Sequence, residues 1–523
     1  MGRDYEVHLM HAVSANRPSS EPSLESGARH LAVRIEKRQR PILCAFTILY
    51  LLGAALHARS KPLWYDEIIT LVIANSRDLS TAWKAALACD ASPPLPHLMA
   101  HLCVRWFGAG EISVRIPAII GFWVFCLCLF RFTSRRVGIC YALAALLLPT
   151  VMETYYYSVE ARAYGPELAF CGLALVAWQA ATERSRRFLA LPGLALSIAA
   201  ALLCHYYAAL LYLPLAGGEA VRLYHNRKID WGVWAAFAAG GAPIVWRISS
   251  VVGAVKGFTH TWSPPYPGQA IEFWESGLQH SSSFLTLLLA LLALSIMLSR
   301  KKPDTAGSAI PALADHELAA GVLFLAIPLV AVAGALLVTH MFTMRYALIA
   351  LAGFAFLAPM VAAHVLGGRA LPGILLLAAV GVGFVFSSMS VPPSRNPFDA
   401  EPLLREALQQ GTVVVSDGQL FLQMWHYAPE PLKSRLLFLA DNQAAVEYMG
   451  FDTIDGGVRV LRDWSSVRVV EYQSFASPGR EFFVYQNTLR PGWLISKVVD
   501  DGATVELRKY SGFRALMRVR LKS

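Results

Sequence analysis

Eleven apolar runs, separated by mostly short polar gaps, constrain this chain more than any other feature. They cover roughly 41–57, 111–132, 138–152, 165–182, 188–204, 207–224, 232–251, 283–299, 319–339, 346–364 and 370–388. A helix needs about 17–25 apolar residues to cross a bilayer, and several of these runs sit at the short end of that range. A soluble core offers no place for so many. Only 16% of residues are charged and 55% are hydrophobic, whereas a soluble domain carries about 25% charged residues. The chain reads as a polytopic α-helical membrane protein of about 11 transmembrane helices.

The net charge of +10 raises nucleic acid as a partner, but no basic patch interleaved with aromatics stands in a soluble context. The basic residues follow topology instead. Arg34/Lys37/Arg38/Arg40, Arg131/Arg135/Arg136, Arg184/Arg186/Arg187, Arg222/Arg227/Lys228 and Arg300/Lys301/Lys302 fall at every second gap, with Arg369 in the last tight one. By the positive-inside rule these gaps are cytoplasmic, so the N-terminus is inside and everything beyond about residue 389 is outside. Residues 1–40 are polar and basic, end in "RIEKRQR", show no cleavable signal pattern and read as a disordered cytoplasmic tail. All eight cysteines lie before residue 205, most inside apolar runs; Cys89 and Cys103 alone could meet in an oxidising space.

Residues 41–388 thus form a transmembrane unit whose first outer loop spans 58–110, and 389–523 differ in character. "VPPSRNPFD" reads as a linker and "EPLLREALQQ" has helical spacing. "TVVVSD", "RLLFLAD", "VRVVEY" and "EFFVYQ" are β-branched or aromatic runs, and "WLISKVVDDGATVELRKY" is a hairpin candidate turning at "DDG". A C-terminal extracytoplasmic α/β domain is expected, with no cysteine in it.

The polar residues able to do chemistry gather at the outer gaps. In "PLWYDEIITLVIA" the acidic pair Asp66–Glu67 follows the first apolar run. Carboxylates near membrane depth are costly and usually functional. Further along stand Asp90, then His97, His101 and Arg105 at i, i+4, i+8, which read as an interfacial polar stripe rather than a metal site. "METYYYSVEARAYG" supplies Glu160, Arg162 and Tyr164; "CHYYA" supplies His205 and Tyr206; "HMFTMRYAL" supplies Arg345 and Tyr346. Aromatics at a bilayer boundary commonly form an interface belt. Together, though, a carboxylate that accepts a proton, arginines that hold a phosphate and aromatic faces for sugar rings suit group transfer from a lipid phosphate. No P-loop or dinucleotide fingerprint is present.

The ordered motifs "LWYDE", "DASPPLPHLMAHLCVRWFGAGEISVRIPA", "YYYSVEARAYG", "HYY" and "MRY", over about residues 40–365, resemble the polyprenyl-phosphate-dependent GT-C glycosyltransferases. The bacterial relatives of protein O-mannosyltransferase and the aminoarabinose transferases of lipid A are among them. "GAGEISVR" carries a GxxExxxR pattern through Gly108, Glu111 and Arg115. The resemblance implies a multi-spanning inner-membrane enzyme acting on the outer face with a polyprenyl-phosphate-linked sugar donor. It implies Asp66 as general base with Glu67 as its acidic partner, and Arg162 and Arg345 on the lipid phosphate. Asp90, Glu160, Tyr164, His205, Tyr206 and Tyr346 would bind substrate. It implies no required cofactor: some members use a divalent metal, but Asp66 and Glu67 alone do not make a cation cage. The acceptor could be a glycan, a lipid or a protein. A single displacement with inversion follows from one base and no separate nucleophile. A lipid-linked sugar flippase and a surface-polysaccharide polymerase or ligase are the rival readings. The first would place charges in mid-span, and the second an Arg-rich outer loop; neither pattern is present.

Overall fold

The computed structural model describes residues 24–183, 186–246, 252–253, 260–279 and 314–523. Within them each apolar run folds as helix: α1 Leu24–Lys37, α2 Gln39–Ser60, α3 Tyr65–Ala74, α4 Leu79–Cys89, α5 Leu95–Phe107, α6 Glu111–Thr133, α7 Ile139–Leu147, α8 Tyr164–Thr182, α9 Arg187–Cys204, α10 Tyr212–Asn226, α11 Trp231–Gly240, α12 Gln269–Gln279, α13 Asp315–Leu325, α14 Ile327–Gly334, α15 Ala350–Val365 and α16 Ala370–Met389. Among the described residues α2, α6, α9 and α16 are long and apolar enough to cross a membrane alone; α13 and the helical segment Ile327–Thr339 reach that length and apolarity only together and meet at a bend of 47°. The expected run at 283–299 lies outside the described residues. Part of the tail expected to be disordered is helix α1, whose Glu25 carboxylate caps the N-terminus of α16 by accepting from the backbone N–H of Ala370 and Leu371.

α6 and α8 pack so closely that a Cβ on Gly121 would lie 2.5 Å from the Gly165 carbonyl, and one on Gly165 2.5 Å from the Ala118 carbonyl. Only glycine allows that approach, and it locks the start of α8 against the helix that carries Arg115.

The polar gaps segregate as the charge pattern requires. Residues of the basic gaps meet at one end of the helices. Arg136 grips the buried Glu317 through two hydrogen bonds of 2.6 and 2.7 Å, Gln179 adds a third of 3.1 Å, and Arg135 pairs with Glu183. Nearby, Asp230 is held by Arg187 and Arg222, and Glu219 by Arg222 and the Trp178 indole. The residues of the other gaps meet at the opposite end.

Beyond α16 the chain builds a six-stranded sheet of order β3-β2-β1-β4-β6-β5, from β1 Val413–Val415, β2 Leu436–Ala440, β3 Val469–Glu471, β4 Glu481–Asn487, β5 Thr504–Ser511 and β6 Arg514–Arg520. β1 to β4 pair in parallel; β6 pairs antiparallel with β4 and β5. The helices are α17 Pro402–Gln410, α18 Gly418–Tyr427, α19 Asn442–Met449, α20 Thr453–Leu461 and α21 Leu494–Asp500. Alternation divides the sheet into two cores. Val413, Val415 and Phe438 face α17, α18 and α20, while Val414, Leu437 and Leu439 face α19 and α21. The hairpin expected at "DDG" is corrected. Leu494 and Val498, one helical turn apart, are both buried in α21, and the true hairpin is β5–β6, turning at Gly512 in a left-handed conformation (φ 57°).

The core facing α18 runs without a break into the first loop after α2, joining Tyr65, Ile68 and Ile69 to Phe421 and Val458. Polar ties reinforce it. The Tyr65 hydroxyl donates to the Ile454 carbonyl (3.1 Å), Gln423 to the Leu63 carbonyl (3.0 Å), and the Leu63 N–H to the Tyr427 hydroxyl (2.7 Å). The Tyr427 hydroxyl in turn bonds Glu111 of the GxxExxxR stretch.

Candidate active site

The two carboxylates of "YDE" have opposite fates. Both stand in the first turn of α3, where the helix dipole favours negative charge. Glu67 is fully buried. Its Oε1 accepts from Arg115 Nε (2.7 Å) and the Ala161 N–H (2.8 Å), and its Oε2 from Arg115 Nη2 (2.6 Å). Arg115 spends its other donors on the carbonyls of Ala58, Lys61 and Pro62. Every lone pair and proton in this knot is committed, as a buried ion pair requires. Glu67, expected as the acidic partner of Asp66, thus ties α3, α6 and the "EARAY" loop together and does not line the cavity.

Asp66 faces the other way, into a cavity of about 600 Å³. Its Oδ2 lies 3.6 Å from Arg345 Nη2 and 3.7 Å from Arg162 Nε, both too long for hydrogen bonds. The Nε atoms of both arginines are buried without a hydrogen-bond partner. Arg345 also lies over the Trp64 and Trp262 rings at 5.7 and 5.8 Å. Arg162 is held from behind by Asp90 (2.9 Å), whose carboxylate also meets His97 Nε2 (3.2 Å) and the Ser92 N–H (2.8 Å). Burial would raise the Asp90 carboxyl, but Arg162 and His97 outweigh it and hold it well below the usual carboxylate range.

His205 packs against Tyr164, Tyr207 and Tyr346, with centroids 5.1–5.8 Å apart. Burial first, then the charges of Arg162 and Arg345, push its pKa down to about 3. Its Nδ1 accepts from the Tyr207 N–H (3.3 Å), which leaves a neutral ring with the proton on Nε2. Tyr207 and Tyr346 stack at 4.7 Å.

Of the residues singled out from sequence, Asp66, Asp90, Arg162, His205, Tyr206, Arg345 and Tyr346 line the cavity. Tyr164 stands behind His205. Glu160 is buried in a pair with Lys61 (3.0 Å) and does not reach the cavity. Of the His97/His101/Arg105 stripe, both histidines point inward, His101 bonding the Ala74 carbonyl (2.9 Å), while Arg105 stays exposed beside Leu102, Trp106 and Phe107. Cys89 and Cys103 are free thiols. Among the described residues no three of His, Cys, Asp and Glu converge into a metal-holding group.

Sequence reasoning missed Trp64, Trp262, Gln419, Asp452 and Thr453 on the cavity wall. Trp64 could have been found, since it abuts the acidic pair. The others come from distant parts of the chain.

The family model for Dolichyl-phosphate-mannose-protein mannosyltransferase matches residues 91–244. None of the curated proteins compared with the chain matches it. Among solved structures, ArnT from Cupriavidus metallidurans in the apo state superposes with a TM-score of 0.56 at 11% identity, covering 92% of this chain and 98% of its own. The same protein bound to undecaprenyl phosphate gives 0.55 at 12% identity, covering 91% and 98%. Both findings accord with the resemblance that the motifs carry, and the solved structures give the chain the fold seen in ArnT.

Proposed function

We propose that this GT-C protein transfers a sugar from a polyprenyl-phosphate donor to an acceptor hydroxyl on the outer side of the inner membrane. The observation that carries the reading is a cavity-facing carboxylate, Asp66, with no hydrogen bond, set between two arginines that each keep a donor unpaired. Asp66 Oδ2 takes the proton of the acceptor O–H. The acceptor oxygen bonds to the anomeric carbon as the bond from that carbon to the phosphate oxygen breaks. The electron pair leaves with the polyprenyl phosphate, whose gained charge Arg162 and Arg345 stabilise. Attack opposite the phosphate inverts the anomeric centre.

Asp90 acts as a positioning residue that holds Arg162 open towards the cavity, and the neutral His205 supplies a hydrogen bond without competing charge. Trp64, Trp262 and the Tyr207–Tyr346 stack offer faces for a sugar ring. The undecaprenyl phosphate bound by the ArnT neighbour supports a lipid-phosphate donor here. The extracytoplasmic side is assigned to the Asp66 end because Arg135, Arg136, Arg187 and Arg222 of the basic gaps lie at the other.

The test uses the full chain in nanodiscs with short-chain polyprenyl-phosphate sugars. Donor turnover that depends on Asp66 and on both arginines supports the reading. Turnover retained in Asp66→Asn removes the base assignment, and no binding of any polyprenyl phosphate removes the donor class.

A further inference from the structure

The cavity has a second wall that the reaction above does not use. Gln419, Asp452 and Thr453 reach it from the α/β unit, together with the backbone at Gly456 and Gly457. Their placement follows from topology. In a parallel sheet wound in both directions, ligands bind outside the carboxyl ends of the strands where the order reverses. Here β1 has β2 on one side and β4 on the other, so the reversal falls at β1. Gln419 sits in the first turn of α18, just past the end of β1. Asp452 is tied to the end of β2 through Asn442, whose Nδ2 donates to it at 2.9 Å. The edge of the sheet where such folds take their ligands is thus turned towards Asp66.

The docking is close. A Cβ on Gly457 would lie 2.3 Å from the Tyr65 hydroxyl, one residue from the base. The wall also keeps polar capacity in reserve. Thr453 Oγ1 is buried without a partner, as is the Tyr206 hydroxyl across the cavity. A buried polar atom without a partner is costly, and a hydroxyl-bearing ligand would satisfy both.

We infer that the α/β unit is the acceptor-selecting half of the site, with Gln419, Asp452 and Thr453 as specificity-determining residues for a neutral, hydroxyl-rich glycan. This rests on the sugar-transfer reading above. The charge of the wall decides the class. The cations of the cavity, Arg162 and Arg345, flank Asp66, and the α/β wall contributes a carboxylate and no Lys or Arg. A second phosphate on the acceptor would meet Asp452 with nothing to neutralise it, whereas carbonyl, carboxamide and threonine groups match sugar hydroxyls.

The experiment measures equilibrium binding of mannotriose, and separately of a bisphosphorylated glycolipid, to the full chain in nanodiscs without donor. The trisaccharide is expected to bind more tightly than the bisphosphorylated glycolipid. Its affinity should fall tenfold or more in Gln419→Ala/Thr453→Val and stay within twofold in Glu317→Gln, at the far end of the helices. Asp452→Lys should shift preference at least tenfold towards mannose 6-phosphate, a gain that a misfolded variant cannot show. Tighter binding of the bisphosphorylated glycolipid, no binding of the trisaccharide, or indifference to all three wall substitutions overturns the inference. Because no donor is present, these results are independent of Asp66 turnover, which tests the sugar-transfer reading on its own.

Discussion

Both ends of the helical region collect arginines and carboxylates, but they are finished differently. At one end Arg136, Gln179 and Glu317 close into a set of hydrogen bonds of 2.6–3.1 Å, with Glu317 fully buried. At the other, Arg162 and Arg345 approach Asp66 no closer than 3.6 Å and keep their Nε protons unpaired. A cluster whose charges are paired at hydrogen-bond distance holds helices together, even with one amide oxygen, Gln179 Oε1, left without a partner. An open one has unspent hydrogen-bonding capacity that only a ligand can use. The Glu67–Arg115 knot, adjacent to Asp66, shows that the open end is not open for want of partners.

Five experiments break or sharpen this contrast. Asp66→Asn should lower transfer by about 10²–10⁴-fold while leaving the thermal midpoint in detergent unchanged, because Asp66 makes no hydrogen bond to lose. Arg115→Met should do the reverse. It strands a buried carboxylate and should cost about 3–5 kcal/mol of stability, read from the denaturation midpoint.

Asp455 in α20 is buried, with one hydrogen bond from the Trp493 indole (2.8 Å), and burial first of all pushes its pKa up to about 7. A carboxyl raised in the folded state contributes its stability below its unfolded pKa and loses it as pH rises towards 7. The α/β unit should therefore weaken between about pH 4 and pH 7 by a few kcal/mol at most, and Asp455→Asn should flatten that dependence. Glu317→Gln should cost about 1–3 kcal/mol in stability with the donor KM unchanged, as fits a closed cluster. Arg345→Lys should be mildest, raising the donor KM roughly tenfold through loss of the planar fork and its stacking on Trp64 and Trp262.

The helices were legible because an apolar run of membrane length has few other folds, and the ends segregated because charge marks them. Asp66 was legible because no structural role explains a carboxylate beside Trp64 and Tyr65. Glu67 was not, because its fate is decided by an arginine 48 residues away. His97 and His101 misled because spacing fixes a shared helix face but not whether that face turns inward. In "WLISKVVDDG" the β-branched residues and the turn signal suggested strands, yet the pairing of Leu494 with Val498 decided for helix. The second wall of the cavity could not be read at all. Gln419 and Thr453 stand on ordinary α/β segments, and only the docking of Tyr65 against Ile454 and Gly457 brings them over Asp66.

The contact of Gly121 with Gly165 has a mechanical consequence. Two backbones in direct touch leave no side-chain layer to compress, so α6 and α8 behave as one stiff post, with Arg115 fixed in it and the "EARAY" loop, with Arg162, tethered at its top. A stiff post meets a bilayer of another thickness by tilting or by deforming the lipid around it, each at a modest cost. A polyprenyl phosphate, by contrast, floats at whatever depth its lipid headgroups set. If the proposed transfer is the activity, turnover should fall off in bilayers much thinner or thicker than the one the post fits.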